Sequence, residues 1–376
     1  MTGITRARSL GLPFAGQCGA YNAITDVLGV EVGFSTIITG ESSPDTTVAS
    51  DFARTGVTAI LPRGKRRSAV FAGRHNLNGN GELTGTHWID DSGFLHGPVM
   101  ITNTNSVGLV RDSTMKWMLK NNYFYPVVKD GKEVPGLGIF YPTVGETFDG
   151  YLNNINGFKV EEKHVFEALE DAKPGRVPEG NVGGGTGMRC YGFKGGTGTS
   201  SRVLTEAEGG YTVGVLVQAN YGVREELRIG GIPIGKEIEG YEQELPGLAP
   251  MDGAGSIIVV VATDAPLLPW QLSKVCKRVP IGIGNLGGGF QNNSGDIFIA
   301  FSTANEDAFS YDVSTVRLLS DERIDPIYRA TAEATEEAIV NAMVAAESMH
   351  GRNGNFIHAI PHDQIIKALE KYRGRR

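Results

Sequence analysis

Gly253-Ala254-Gly255-Ser256-Ile257-Ile258-Val259-Val260-Val261-Ala262 is the stretch on which the fold turns. A run of small residues leads straight into a serine, and the serine opens six consecutive apolar residues, most of them β-branched. That length suits a strand buried in a sheet and falls far short of the roughly 20 residues that cross a bilayer. One reading is a glycine-rich turn feeding a core strand. The other is chemical. A cut in the Gly255–Ser256 peptide would place Ser256 at a new N-terminus on a rigid element, its hydroxyl beside a free α-amine. Such an amine titrates near ~7.7–8.0 and can accept a proton, so a serine there can be nucleophilic without a histidine.

The rest of the chain is consistent with a buried sheet. Its 376 residues are enough for a large core, with 40% hydrophobic and 20% charged residues, a soluble globular composition. A formal charge of -7 with no basic stripe argues against a nucleic-acid partner. The 52 glycines are about twice the usual share of ~7% and are clustered, which implies tight turns and close backbone approaches. Cys18, Cys190 and Cys276 stand at unrelated spacings, so neither a disulfide framework nor a zinc site is expected, and no other cofactor motif is found. Arg6 and Arg8 are followed by no apolar segment of signal-peptide type, which points to the cytoplasm.

Short apolar runs at 57–62, 69–73 and 99–104 alternate with Gly/Asn/Asp segments and read as strands joined by turns. Residues 113–121 and 165–172 read as helices, the second stopped by Pro174 and Gly175. "YTVGVLVQANYG" (211–222) is a strand leading out of the glycine-dense segment 181–202, and Gly230–Gly253 reads as an exposed connector suited to a chain break. Beyond Ser256, Asp264 is the expected cap of a helix over 264–279, and 297–301 is a further strand. After Asp325-Pro326, Ala334, Ala338, Ala342 and Ala346 form one small-residue ridge, expected to pack closely against a neighbouring helix. A last helix runs over 363–372. No internal repeat or domain boundary emerges, so residues 1–376 are expected to form one domain of sheet layers covered by helices.

Familiar motifs fail on context. "GIGNLG" (282–287) is a literal G-x-G-x-x-G, but a helix precedes it and "GGFQNNSGD" follows, the reverse of a dinucleotide site. His358 and His362 are separated by Pro361 and lack the glutamate of a zinc protease motif, and no G-x-S-x-G elbow is present. A nucleophile that needs no histidine gains weight from these failures. Beside Ser256, Asn220 ends a strand where its amide could face a developing oxyanion. Ser294 and Asp296 stand two apart at a strand entrance and could hold the serine or its amine. Glu146 offers a carboxylate for an ammonium, and Tyr151 a phenol.

Taken in order, "NAITDVLGVEVG", "GNGELTG", "ITNTNSVG", "GETFDGYLN", "VQANYG", "GSIIVVVATDAPL" and "NSGDIFIAFSTAN" resemble the self-processing L-aminopeptidase/D-amidase-esterase family, which includes the β-peptidyl aminopeptidases. The resemblance runs from about residue 5 to 372. It implies an α+β, four-layer αββα sandwich like that of the N-terminal-nucleophile hydrolases. It also implies cleavage between Gly255 and Ser256 into chains 1–255 and 256–376 that stay together, commonly as a tetramer of αβ units. Ser256 matches the nucleophile of both the cut and turnover, and Asn220 the oxyanion-binding asparagine. Ser294 and Asp296 match a supporting serine and acid, while Tyr151 and Glu146 lie in the segment that supplies a tyrosine or an acidic substrate-binding residue. The implied substrates are small peptides, amides or esters with a free amino group, with no metal, nucleic acid or membrane partner. Two alternatives stand beside this: an acyltransferase of the ornithine-acetyltransferase type, and an unprocessed relative that only binds.

Overall fold

The apolar run does form a strand, and both of its faces are buried. Ile257, Val259 and Val261 pack into one apolar cluster, Ile258, Val260 and Ala262 into another. Burying side chains of this size contributes roughly 1.5–3 kcal/mol each relative to exposure, so a charge at Val260 would be severely destabilising. In the computed structural model, which describes residues 5–374 apart from 45–46, 48–49, 68, 124–126, 135–139, 247–254 and 311–312, this strand is central to the larger of two packed sheets.

The main strands in chain order are β1 (Glu31–Thr39), β2 (Ala53–Lys65), β3 (Val70–Gly79), β4 (Phe94–Leu95), β5 (Val99–Asn103), β6 (Thr143–Thr147), β7 (Gly196–Val203), β8 (Thr212–Asn220), β9 (Gly255–Thr263) and β10 (Ser294–Ser302). The main helices are α1 (Val107–Lys120), α2 (Glu162–Asp171), α3 (Pro269–Cys276), α4 (Val279–Asn285), α5 (Asp325–Val344) and α6 (His362–Arg373). A four-stranded sheet has the order β1-β2-β5-β6, and a six-stranded sheet the order β7-β8-β9-β10-β3-β4. β5 with β6 and β9 with β10 run parallel, and the remaining neighbours antiparallel.

Side-chain alternation along the strands stacks these elements into layers. Ala59, Leu61 and Met100 of the smaller sheet meet Val110 and Trp117 of α1 and Val165 and Leu169 of α2. The opposite face presents Val32, Ile60 and Ile101 to Leu216, Ile258 and Ile299 of the larger sheet. The far face of the larger sheet packs Val217, Val259 and Phe298 against Leu272 of α3, Ile283 of α4 and Ala338 of α5. Helix, sheet, sheet, helix is the four-layer αββα sandwich of the α+β class expected from the sequence. It is borne out.

Some local expectations are revised. The helix expected at 113–121 begins earlier, at Val107, because Asn103 Oδ1 accepts from Ser106 N–H at 3.1 Å and caps a turn that leads into it. Asp264 caps no helix; its Oδ1 accepts from Thr212 N–H at 2.8 Å and ties down the start of β8. α3 starts instead with Pro269, at a position where a missing N–H costs nothing. The small-residue ridge of α5 rests on β7: a Cβ on Gly198 would overlap the backbone of Ala338 and Ala342. The first half of the expected exposed connector is anchored, with Ile234 and Ile238 buried; its last part, 247–254, lies outside the described residues. "GIGNLG" begins inside α4, so its first glycines are helical and hold no phosphate loop. Among the described residues no helix is long and apolar enough to cross a membrane.

Candidate active site

Asn220 ends β8 and Ser256 stands second in β9, and the antiparallel register sets them directly opposite each other. Leu216 and Ile258, an even number of residues away, belong to the cluster between the sheets, so alternation turns Asn220 and Ser256 the same way. There the space between the sheets opens into a cavity of about 530 Å³. Asn220, Gly255 and Ser256 line it from one sheet, Glu146 from the end of β6, and Phe148 and Tyr151 from the segment that follows.

The Asn220 amide is oriented by its partners. Oδ1 accepts from the Arg189 backbone N–H at 3.0 Å, which leaves Nδ2 to donate to Phe148 O at 3.0 Å and towards Ser256 Oγ at 3.5 Å. The Phe148 N–H also points at Ser256 Oγ, at 3.4 Å. Two N–H donors therefore converge beside the hydroxyl, where the oxygen of an attacked carbonyl would gather charge. Both contacts are long, as such bonds often are before a substrate tightens them. Among the described residues no histidine or carboxylate is hydrogen-bonded to Ser256 Oγ.

Gly255 has no room for a side chain. A Cβ there would lie 2.6 Å from Asn220 O and 2.8 Å from Tyr221 Cα, both backbone atoms that cannot swing aside. If the Gly255–Ser256 peptide is cut as the resemblance implies, Gly255→Ala should shift its carbonyl and slow that cut about tenfold, read as the fraction of uncut chain against time by intact mass. Cleavage at the normal rate would show that the close approach does not matter.

Glu146 is 3% exposed. Its Oε1 accepts from Glu82 N–H at 3.0 Å and its Oε2 from the Thr104 hydroxyl. Burial pushes its carboxyl up, opposed by those two hydrogen bonds. Tyr151 is buried beneath Arg189, whose guanidinium carbon lies 3.8 Å from the ring centroid. Ser294 Oγ donates to Asp296 Oδ1 at 2.6 Å, and Asn78 Nδ2 to Asp296 Oδ2 at 2.9 Å; burial again pushes the carboxyl up. This pair does not line the cavity. It shares the side of Phe298, which faces the helices, and Ser294 lies opposite Gly255 in the parallel ladder. The pair thus flanks the Gly255–Ser256 backbone, on the other face of the sheet from Ser256 Oγ.

Residues 22–357 match peptidase family S58. The chain belongs to that family. It is 48% identical to the β-peptidyl aminopeptidase BapA of Sphingosinicella microcystinivorans, over 98% of this chain and 92% of that one. Among solved structures it is similar to the L-aminopeptidase D-Ala-esterase/amidase of Ochrobactrum anthropi, described as a variant of the Ntn hydrolase fold, with a TM-score of 0.86 and 48% identity over 98% of each chain. A β-aminopeptidase of Burkholderia sp. superposes with a TM-score of 0.82 at 42% identity, over 98% of this chain and 99% of the other. The resemblance read from the sequence is borne out, and with it a hydrolase of the aminopeptidase class with an N-terminal-nucleophile fold.

Several residues of this S58 site escape a reading by residue type. Arg189 and Phe148 meet Asn220 and Ser256 through backbone N–H groups, which every residue but proline carries. Asp149 lies beside Phe148 yet is fully buried, both oxygens accepting from Asn153 Nδ2 at 3.1 Å, with a further hydrogen bond from Thr55. Burial pushes its carboxyl up to about 7. A carboxyl whose folded pKa exceeds its unfolded one favours folding while protonated. The benefit is complete below about 4 and is lost as pH rises through about 7. In a Ser256→Ala background, where a single chain is expected to unfold, Asp149→Asn should flatten this slope. The stability difference between parent and variant should fall as pH rises from 4 to 7, by up to about 1.36 kcal/mol per pH unit. Parallel denaturation curves across that range would contradict the assignment.

Proposed function

We propose that this chain is a self-processing serine aminopeptidase whose mature nucleophile is Ser256 at the start of a new chain. The observation that carries the reading is the meeting of Ser256 Oγ, the Asn220 amide and the buried Glu146 carboxyl in one cavity. In maturation, Ser256 Oγ bonds to the Gly255 carbonyl carbon, the Gly255–Ser256 C–N bond breaks, and the resulting ester is hydrolysed by water. The products are a carboxylate on Gly255 and a free amine on Ser256. Chains 1–255 and 256–376 then stay joined, because β9 remains hydrogen-bonded to β8, and β10 to β3, across the break.

In turnover, Ser256 Oγ attacks the first carbonyl of a small peptide, amide or ester. The Asn220 amide and the Phe148 N–H stabilise the oxyanion, the leaving group departs, and water frees the acyl-enzyme. The hydroxyl proton has two candidate acceptors. The new α-amine is favoured over Ser294/Asp296, which lie on the other face of the sheet, suited to holding the amine rather than the hydroxyl. Glu146 receives the substrate ammonium and Tyr151 contacts the substrate. The likeness to β-peptidyl aminopeptidases supports β-aminoacyl substrates.

The test pairs intact mass with turnover of β-alanyl and L-alanyl p-nitroanilides and their N-acetylated forms. Two chains meeting at Gly255/Ser256 and hydrolysis confined to free amines are expected. Glu146→Gln should raise KM about 10–100-fold with a smaller change in kcat, the equivalent of one charge-assisted hydrogen bond at ~1.5–3 kcal/mol. Equal turnover of the acetylated substrates would rule out recognition of the ammonium.

A further inference from the structure

Arg189 meets the site twice. Its backbone N–H holds Asn220 Oδ1 at 3.0 Å, and its guanidinium carbon lies over the Tyr151 ring, 3.8 Å from the centroid. The far end of the same side chain is tied, since Nη1 donates to Gln243 Oε1 at 2.9 Å. Gln243 belongs to the segment that leads towards the cut. That segment is held from the other side of the cut, with Glu244 N–H donating to Phe356 O at 2.9 Å and Phe356 N–H to Glu244 O at 2.8 Å. Cleavage at Gly255 breaks none of these bonds, so Gln243 keeps its grip in the mature protein.

Without the guanidinium, the Tyr151 ring would lose its cover. Arg189 and Gln243 also line a second cavity of about 530 Å³, whose other walls include Arg224, Glu225 and Lys236. Arg189 thus lines that cavity, while the ring it covers, Tyr151, lines the one holding Ser256. On its edge Tyr151 touches only Phe148 in T-shaped contact at 5.9 Å between centroids, among the ring contacts described. A cation on a ring face favours a fixed plane, and a two-ended arginine has little freedom left.

We infer that Arg189 is a positioning residue for the reaction: locked by Gln243, it fixes the plane of Tyr151 at the substrate cavity. Gln243, upstream of the cut, is then part of the mature site. The inference rests on the reading above in which Tyr151 contacts the substrate, and its test separates the two.

The experiment measures kcat/KM for β-alanyl p-nitroanilide with Arg189→Met, Gln243→Ala and Tyr151→Leu, singly and combined, on protein whose processing is complete by intact mass. Arg189→Met keeps the backbone N–H to Asn220 and should lose about tenfold; Gln243→Ala should lose about threefold. In the Tyr151→Leu background both should change kcat/KM less than twofold, because their effect passes through that ring. Equal fold-losses in both backgrounds, the mark of a merely structural role, would overturn the inference, as would no loss in the parent. Should Arg189→Met fail to fold, the partly buried Gln243 carries the same cycle alone. Full turnover by Tyr151→Leu itself would remove Tyr151 from the reaction, and this inference with it, leaving Ser256 and Asn220 untouched.

Discussion

Ser256→Ala should yield a single uncut chain of 376 residues without measurable aminopeptidase activity. Both losses come from one missing oxygen. The alanine retains the strand, since residues 257–262 stay buried on both faces of β9, and it retains the Asn220 and Phe148 donors. What disappears is the atom proposed to form the ester. Loss of the nucleophile in a serine enzyme costs on the order of 10⁶ in kcat, the largest effect expected of any substitution here. Mass spectrometry under denaturing conditions reads the first loss, and a continuous p-nitroaniline assay the second. An alanine variant that still separates into 1–255 and 256–376 would assign the cut to another protease. An uncut wild-type chain that persists through long incubation would leave the serine without its amine. The same assay answers the acyltransferase alternative: release to water must exceed transfer to an added amine acceptor.

How much of this was legible in the sequence depends on the range over which each feature is decided. The β9 run announces itself because six consecutive apolar residues can be satisfied only where both strand faces are covered. Asn220 and Ser256 both stand out in the sequence, but their pairing is a matter of register between strands distant in sequence. Ser294 and Asp296 show the limit most clearly. Their spacing of two correctly turns them to one side, yet which side depends on the parallel register of Gly255 with Ser294, and that register sets them across the sheet from Ser256 Oγ. The start of α3 departs from the local pattern because Asp264 finds its partner in Thr212, an interaction outside any local window. Arg189 left no signal at all. Its backbone N–H is common to every residue but proline, and its guanidinium acts through Gln243 and Tyr151, each far away in sequence.

Asn220→Ala should process slowly and turn over with kcat reduced roughly 10²–10³-fold, the usual cost of one oxyanion donor. KM should change little, because a carbonyl in the ground state carries less charge than the oxyanion and gains less from Nδ2. The fold should persist: Asn220 closes a strand, and its main-chain partner in β9 does not depend on the side chain. The sharper variant is Asn220→Asp. It keeps the shape and the Oδ1 bond to Arg189 N–H, but replaces the donor with an acceptor facing Phe148 O and Ser256 Oγ. Phe148 N–H would then be left as the sole donor beside a repelling carboxylate, so Asn220→Asp should be at least as slow as Asn220→Ala despite its closer shape. If aspartate instead restores turnover above alanine, Nδ2 is not acting as a donor. The role of Asn220 would then reduce to holding the Phe148 and Arg189 segments, and the oxyanion would rest on backbone N–H groups alone.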